Sequence, residues 1–116
     1  MWDWNGSDMP WYAYRTSIKT ITLPDSLTNI GDYAFAFCEN LASIEIPDSV
    51  TSIGSSAFYE CSSLTSVAIP DSVTSIDDWA FYHCSSLTSI EIPDSVTRIG
   101  YEVFYACRSL TSIEVD

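Results

Sequence analysis

The sequence has few basic residues: four lysines and arginines stand against sixteen aspartates and glutamates, which gives a formal net charge of −12. Such a surface repels the phosphates of nucleic acids and of anionic lipid headgroups. The chain also lacks an uninterrupted apolar run of the about 18 residues that a membrane-spanning helix needs. Composition therefore predicts no nucleic-acid binding and no membrane insertion, and it leaves a basic protein, a cation or a polysaccharide as candidate partners.

Signals for export and for catalysis are also missing. Residues 1–4 offer neither the cationic stretch nor the apolar segment of a signal peptide. There is no Gly-x-Ser-x-Gly motif and no phosphate-binding glycine loop. The one histidine, His83, is close in sequence to Asp77 and Asp78, but it occupies a position that varies between the repeats described below. A solvent-facing histidine is favoured over a catalytic dyad, and we expect neither an enzyme nor a cofactor.

What the chain does contain is a 23-residue repeat. Segments 21–43, 44–66, 67–89 and 90–112 align without a gap, and residues 113–116 begin a fifth unit. Units of this size cannot enclose their own apolar side chains, so they must stack. The sequence predicts a leucine-rich-repeat type of solenoid at 21–116, mainly β with short α- or 3-10-helical turns and wound as one right-handed coil. An aromatic cap and a first strand are predicted at 1–20.

Each unit has the same internal order. Ile44 and Ile46 flank Glu45 in the alternation of a half-buried strand, and Pro47 ends that strand. Gly54 is predicted at a sharp bend with positive φ, a conformation that glycine adopts readily. A column of large core side chains is predicted from the residues Phe35, Phe58, Phe81 and Phe104.

The order Cys-x-x-Leu-x-x-Ile-x-Ile-Pro-x-x-Val-x-x-Ile-Gly-x-x-Ala-Phe, seen in residues 38–58, resembles the BspA-type (Treponema-pallidum-type) leucine-rich repeat. The resemblance covers residues 17–116, and the aromatic stretch at 10–15 is similar to the lead-in of such proteins. It implies a surface or secreted protein with an adhesive or host-binding role and no catalytic residues, although the chain carries no visible signal peptide.

The four cysteines follow the repeat, since they are 23 residues apart. Side chains in register point in parallel, which does not meet the geometry of a disulfide bridge. A zinc site is not favoured, because no Cys-x-x-Cys pair exists. We expect buried free thiols at Cys38, Cys61, Cys84 and Cys107.

A row of aspartates also follows the repeat, and its like charges repel. One interpretation is that each carboxylate accepts backbone N–H bonds in its own turn. The other is cation binding along the row, which is less favoured because the chain lacks known calcium-binding repeats. The row consists of Asp25, Asp48, Asp71 and Asp94.

The two ends of the stack differ. The first fourteen residues hold a cluster of aromatics, interpreted as a lid over the first unit, with a carbohydrate-binding platform as the alternative: Trp2, Trp4, Trp11, Tyr12 and Tyr14. At the other end, Ile113 and Val115 lie in a strand with no unit following it, and such an edge can recruit a second chain. The hypothesis is that either the natural chain continues beyond Asp116 or a second copy of the chain covers this end.

Two surfaces are candidates for partner binding. The outward residues of the strands form a small, polar and acidic face that suits a basic protein partner: Ser43, Glu45, Ser66, Ser89, Glu91 and Glu114. Trp79 and Tyr101 are aromatics that the repeat does not explain, and these are the second candidates. The predicted function is a non-catalytic binding module for a protein or a glycan. The alternative is a structural, self-associating segment of a repeat array.

Overall fold

The computed structural model of the chain describes residues 16–115. One side of the molecule is a four-stranded parallel sheet of two-residue strands, in the order β1 (Asn29–Ile30), β3 (Ser52–Ile53), β5 (Ser75–Ile76) and β7 (Arg98–Ile99). Each strand pairs with the strand 23 residues later, so that Ile30 aligns with Ile53 and Ile53 with Ile76. The predicted stacking of 23-residue units into a solenoid is confirmed.

A second side carries the longer strands β2 (Ser43–Glu45), β4 (Ser66–Ala68), β6 (Ser89–Ile92) and β8 (Ser112–Val115). Here β2 pairs with β4 and β6 with β8, in two separate parallel sheets. The Thr88 N–H reaches the Thr65 carbonyl at 3.4 Å, whereas the equivalent bond from Thr111 to Thr88 is 3.0 Å long. The strand pairing on this side is therefore interrupted between β4 and β6.

The core consists of columns of identical or similar side chains. The rings of Phe58 and Phe81 are fully buried and stack at 5.2 Å with an angle of 2° between their planes. Phe35 and Phe104 continue the column, with centroid distances of 5.6 and 5.9 Å to their neighbours. Burying each such ring stabilises the fold by roughly 1.5–3 kcal/mol. The predicted phenylalanine column is confirmed.

The segment from Gly54 to Cys61 is not helical, and no helix occurs within residues 16–115. Its backbone N–H groups donate alternately to a carbonyl of the same coil and to a carbonyl of the next coil. The Ala57 N–H donates to the Gly54 carbonyl at 3.3 Å, within the same coil, but the Ser56 and Phe58 N–H groups donate to the next coil at 2.9 and 2.8 Å. The predicted helical turns are wrong, because every second N–H group of the segment donates to the neighbouring coil. In a helix, each of these N–H groups would donate to a carbonyl of the same segment.

Gly54 lies where the backbones of two neighbouring coils pack closely together. Its φ lies outside the left-handed region, so the predicted positive φ is wrong. A Cβ at Gly54 would lie 2.7 Å from the carbonyl carbon of Gly31 and 2.8 Å from the backbone nitrogen of Asp32. Because these are backbone atoms that cannot rotate away, a side chain would force the two coils apart. In this segment Ser56, two positions later, and Glu60 are left-handed instead.

The predicted cap and first strand at 1–20 stay a prediction, because the cap aromatics Trp2, Trp4, Trp11, Tyr12 and Tyr14 lie outside the described residues.

Candidate binding surfaces

Four residues, one from each unit, adopt the left-handed backbone conformation although none is glycine. We call this set the left-handed column: Tyr33, Ser56, Trp79 and Glu102, with φ of 59°, 55°, 56° and 49°. The conformation costs about 1–2 kcal/mol for an L-residue. The Tyr33, Ser56 and Trp79 N–H groups each donate to a carbonyl of the next coil at 2.9 Å. These hydrogen bonds help to stabilise the left-handed conformation. Because the backbone makes these bonds, the side chain is free to vary.

The left-handed column lines a shallow surface groove of about 390 Å³. Ser56 has the smallest side chain of the column and is buried, with 1% of its surface exposed, between the larger residues of the neighbouring coils. Those residues are Tyr33 on one side and Trp79 on the other. Three further aromatics complete the lining, and we call the whole the aromatic groove: Tyr33, Phe37, Ser56, Tyr59, Trp79, Tyr82 and Glu102.

The wall of the aromatic groove is a stack of rings. Tyr59 and Tyr82 stack at 4.7 Å with 7° between their planes, and Phe37 meets Tyr59 edge-on at 5.6 Å and 64°. The stack continues beyond the groove to Tyr105, 5.4 Å from Tyr82. Such contacts add about 0.5–1.5 kcal/mol beyond area burial. The recurring tyrosines Tyr59, Tyr82 and Tyr105 are therefore packed against one another while still presenting surface.

Trp79 is held at the groove by its neighbours. Its indole N–H donates to Oε1 of Glu102 at 3.2 Å, and its ring meets that of Tyr101 at 6.0 Å in an edge-on arrangement of 83°. The Tyr101 N–H in turn donates to Oδ1 of Asp78 at 2.7 Å. The structure thus brings the two predicted aromatics together, with Trp79 in the groove lining and Tyr101 packed against it.

Sequence reasoning missed Glu102 and Ser56 as parts of this site. Both occupy the alignment position of Trp79, and the signal was available: this position holds four different residues in four units. The meaning of that variation depends on the left-handed backbone, which the sequence pattern did not indicate.

The acidic strand face is the second surface. Its predicted members Ser43, Glu45, Ser66, Ser89, Glu91 and Glu114 are all exposed. Glu91 aligns directly with Glu114 across β6 and β8, while Glu45 aligns with Ala68 across β2 and β4. The two halves of the face lie in separate sheets, on either side of a groove of about 320 Å³ that Ala68 and Glu91 help to line. The face is therefore acidic at two places and interrupted between them.

The cysteines lie inside the stack. All four are buried and free, as the sequence predicts. The Cys61 thiol donates to the Phe35 carbonyl at 3.2 Å, and Cys84 and Cys107 make the equivalent bonds at 3.2 and 3.0 Å. Burial raises the pKa of the Cys38 thiol to about 11 and that of Cys61 well above its ordinary value. Protonated thiols of this kind are poor nucleophiles and poor metal ligands.

The aspartate row is on the surface, and Asp25, Asp48, Asp71 and Asp94 are exposed. A backbone bond closes each of their turns, for example from the Val50 N–H to the Pro47 carbonyl at 3.0 Å. Within residues 16–115, no group of three or more His, Cys, Asp or Glu side chains is arranged to hold a metal ion.

His83 is half-buried, and its Nδ1 lies 4.0 Å from Oε1 of Glu60 in the preceding unit. This neighbour replaces the Asp77 and Asp78 pairing considered from sequence.

In the described part of the chain, no helix is long and apolar enough to cross a bilayer.

Comparisons with known proteins match this architecture. The model of the BspA type Leucine rich repeat region matches residues 10–116 in six copies. A leucine-rich repeat protein of T. pallidum superimposes with a TM-score of 0.83 at 38% identity, over 84% of this chain and 46% of that protein. A leucine-rich repeat protein from Bacteroides capillosus gives a TM-score of 0.76 at 28% identity, over 98% and 83% of the two chains.

A third similar structure is a leucine rich cell surface protein from Faecalibacterium prausnitzii, with a TM-score of 0.62 at 35% identity over 85% of this chain and 32% of that one. The chain thus spans about half the length of the T. pallidum protein and a third of the F. prausnitzii protein. No curated protein matches the sequence. Leucine-rich repeats commonly mediate protein–protein interaction and are generally non-catalytic.

Proposed function

The chain belongs to the BspA-type leucine-rich repeat family, and on that premise we propose that it is a non-catalytic module that binds a protein partner through the aromatic groove. The observation that carries this proposal is the position of Trp79. It departs from the repeat, lies 36% exposed on the surface, and lines a groove with three tyrosines and a phenylalanine. A glycan is the alternative ligand for such an aromatic lining.

Energetic considerations favour the groove over the rest of the surface. Tryptophan and tyrosine are enriched among the residues that dominate protein–protein affinity. They supply a large contact area and lose little conformational entropy on binding. The ring stack from Phe37 through Tyr59 to Tyr82 is preorganised by its own packing, so few side chains need to be ordered when a partner binds.

Selection of a displayed peptide library against the immobilised chain tests the proposal. We expect enriched peptides to lose about tenfold or more in affinity for the Trp79→Ala variant, which corresponds to a hot-spot loss above 1.4 kcal/mol. Tyr105→Ala is the matched control, because Tyr105 belongs to the same ring stack and is 55% exposed but does not line the groove. Selected peptides that bind both variants as tightly as the original chain would contradict the proposal.

The acidic strand face supports a second contact, to a basic partner. Glu91 and Glu114 lie directly opposite each other across β6 and β8, and two carboxylates at this place would favour approach of a cationic partner. Binding through this face would weaken with rising salt. The double substitution Glu45→Lys with Glu91→Lys should abolish binding here and leave groove binding intact, and the Trp79→Ala variant should do the reverse.

The alternative function, a self-associating structural segment, has its own support in the coil that contains β7 and β8. Ile99 and Ile113 are each 47% exposed and Val115 is 73% exposed, whereas the equivalent Ile76 and Ile90 are at most 3% exposed. A second copy stacking on this coil would bury them. Sedimentation velocity over a hundredfold concentration range tests this: a dimer that Ile113→Lys disrupts supports self-association, and a monomer at all concentrations contradicts it.

A cell-surface location is proposed from the F. prausnitzii relative, whose description states one. Antibody labelling of intact source cells before and after permeabilisation tests it, since signal that requires permeabilisation would contradict an exposed position.

A further inference from the structure

We propose that the aromatic groove recognises the guanidinium group of an arginine side chain on the protein partner. The inference rests on the proposed function, because it names the chemistry that the same groove would bind. Its starting point is the composition of the lining: five aromatic rings, one small hydroxyl residue and one carboxylate, Glu102. No lysine or arginine from the described part of the chain lines it.

The spacing of the left-handed column suits a cation placed between two rings. Tyr33 and Trp79 are two coils apart, which puts their backbones about 10 Å apart at about 4.8 Å per strand step. Ser56, between them, has the smallest side chain of the column. A cation is attracted to an aromatic ring at up to about 6 Å from the centroid, so a cation midway in the gap would lie within reach of both side chains.

Charge around the groove favours a cation over a neutral sugar. Glu102 lies in the lining itself and is anchored, since its Oε1 accepts the Trp79 indole N–H at 3.2 Å. Two further carboxylates are fixed beside the column, where Oδ1 of Asp32 accepts the Ser55 N–H at 2.8 Å and Oδ1 of Asp78 accepts the Tyr101 N–H at 2.7 Å. With a net charge of −12 over the whole chain, the field would attract a cationic partner from solution.

Among cations, the guanidinium group matches best. It is planar and stacks on aromatic faces, and its forked N–H groups pair with a carboxylate. A lysine ammonium is a compact and strongly hydrated charge that gains less from ring contact. The rings of Tyr33 and Trp79 would cover the guanidinium plane, and the carboxylate of Glu102, one coil beyond Trp79, attracts its charge.

Titration of the full chain with N-acetyl-L-arginine amide tests the inference. The readout is the indole N–H resonance of Trp79 in a ¹H–¹⁵N spectrum, identified among the four tryptophans by its loss in Trp79→Phe. We expect a saturable shift with a dissociation constant on the order of 1–10 mM. The citrulline counterpart, which has the same shape without the charge, should bind at least tenfold more weakly. Equal shifts with citrulline, no saturable shift, or tighter binding of methyl glucoside would overturn the inference.

Two substitutions make the test specific. Glu102→Gln should weaken arginine binding by about fivefold, as expected for loss of a nearby negative charge, while Glu114→Gln on the strand face should leave it unchanged. Ser56→Tyr should abolish binding by filling the gap. The same backbone position carries tyrosine at residue 33 and tryptophan at residue 79, so this variant should remain folded. Arginine binding unchanged in Ser56→Tyr would overturn the inference.

The inference and the proposed function can fail separately. If the selected peptides depend on Trp79 but contain no arginine, the arginine inference is overturned and the binding function stands. If no selected peptide depends on Trp79, the proposed function fails, whatever the outcome of the titration.

Discussion

Two columns of residues run along this solenoid only two positions apart, and they behave in contrasting ways. The phenylalanine column (Phe35, Phe58, Phe81 and Phe104) is the same residue in every unit, whereas the left-handed column holds tyrosine, serine, tryptophan and glutamate. Their backbone bonds are alike, since the Phe58 and Ser56 N–H groups both donate to the next coil, at 2.8 and 2.9 Å. The difference lies in the side chains: packing in the core requires phenylalanine in one column, whereas the backbone bonds of the other leave its side chains free to vary.

The largest effect should come from breaking the phenylalanine column. Phe58→Ala should lower the free energy of unfolding by about 3–5 kcal/mol, because it removes a fully buried ring and leaves a cavity between two coils. Ser56→Ala is the control two residues away and should change stability by less than about 1 kcal/mol. Urea denaturation measures both. Similar losses in the two variants would contradict the separation of the columns.

Alkaline pH should destabilise the fold through the cysteine column, formed by Cys38, Cys61, Cys84 and Cys107. Like the phenylalanine column, it is the same residue in every unit, and its residues are buried. Because burial raises the pKa of Cys38 to about 11 from an ordinary value of 9.0, the folded state keeps its proton at a pH where the unfolded state loses it. This contribution to stability is complete below pH 9 and is lost progressively between pH 9 and 11. The two-unit difference corresponds to about 3 kcal/mol.

Urea denaturation at pH 8, 9, 10 and 11 measures this loss. In Cys38→Ala the decline should be shallower, since one of the raised thiols is gone. A parallel decline in the variant and the original chain would assign the pH dependence to other groups.

Gly54→Ala should have the next largest effect, because it tests how closely the coils must approach. The added Cβ would lie 2.7 Å from the backbone of the preceding unit, and overpacking of this kind costs about 1–3 kcal/mol. Ser55→Ala, at the adjacent position, should be close to neutral. Thermal unfolding of the two variants measures the difference, and an unchanged melting temperature for Gly54→Ala would show that the coils can separate without loss.

Much of this architecture follows from the sequence because it is periodic. The 23-residue spacing, the buried phenylalanines and the free thiols are consequences of stacking. Aligning the units of the chain with one another is enough to predict that stacking. The turns were predicted less well. The segment from Gly54 to Cys61 has apolar residues at helical spacing, but the inter-coil bonds of Ser56 and Phe58 override that preference.

The candidate site was predicted in part. Trp79 and Tyr101 stand out in the sequence because they break the repeat. The groove itself depends on two facts that no spacing reveals: the left-handed φ of Ser56 and the burial of its small side chain. Glu102 lies beside Trp79 only because their coils are adjacent in register. Long-range register thus assembles the site from residues 23 positions apart.

The smallest predicted effect concerns the conformation of the left-handed residues themselves. A second set adopts it in each unit, at Phe37, Glu60, His83 and Ala106, with φ of 57° to 65°. If backbone bonding holds these residues against their conformational preference, Ala106→Gly should raise the free energy of unfolding by up to about 1 kcal/mol, because glycine relieves the strain. Ala42→Gly, at an exposed position without positive φ, should lower it by a similar amount. If Ala106→Gly and Ala42→Gly lowered the free energy of unfolding in urea by the same amount, the left-handed positions would carry no strain. Their variability between units would then need another cause.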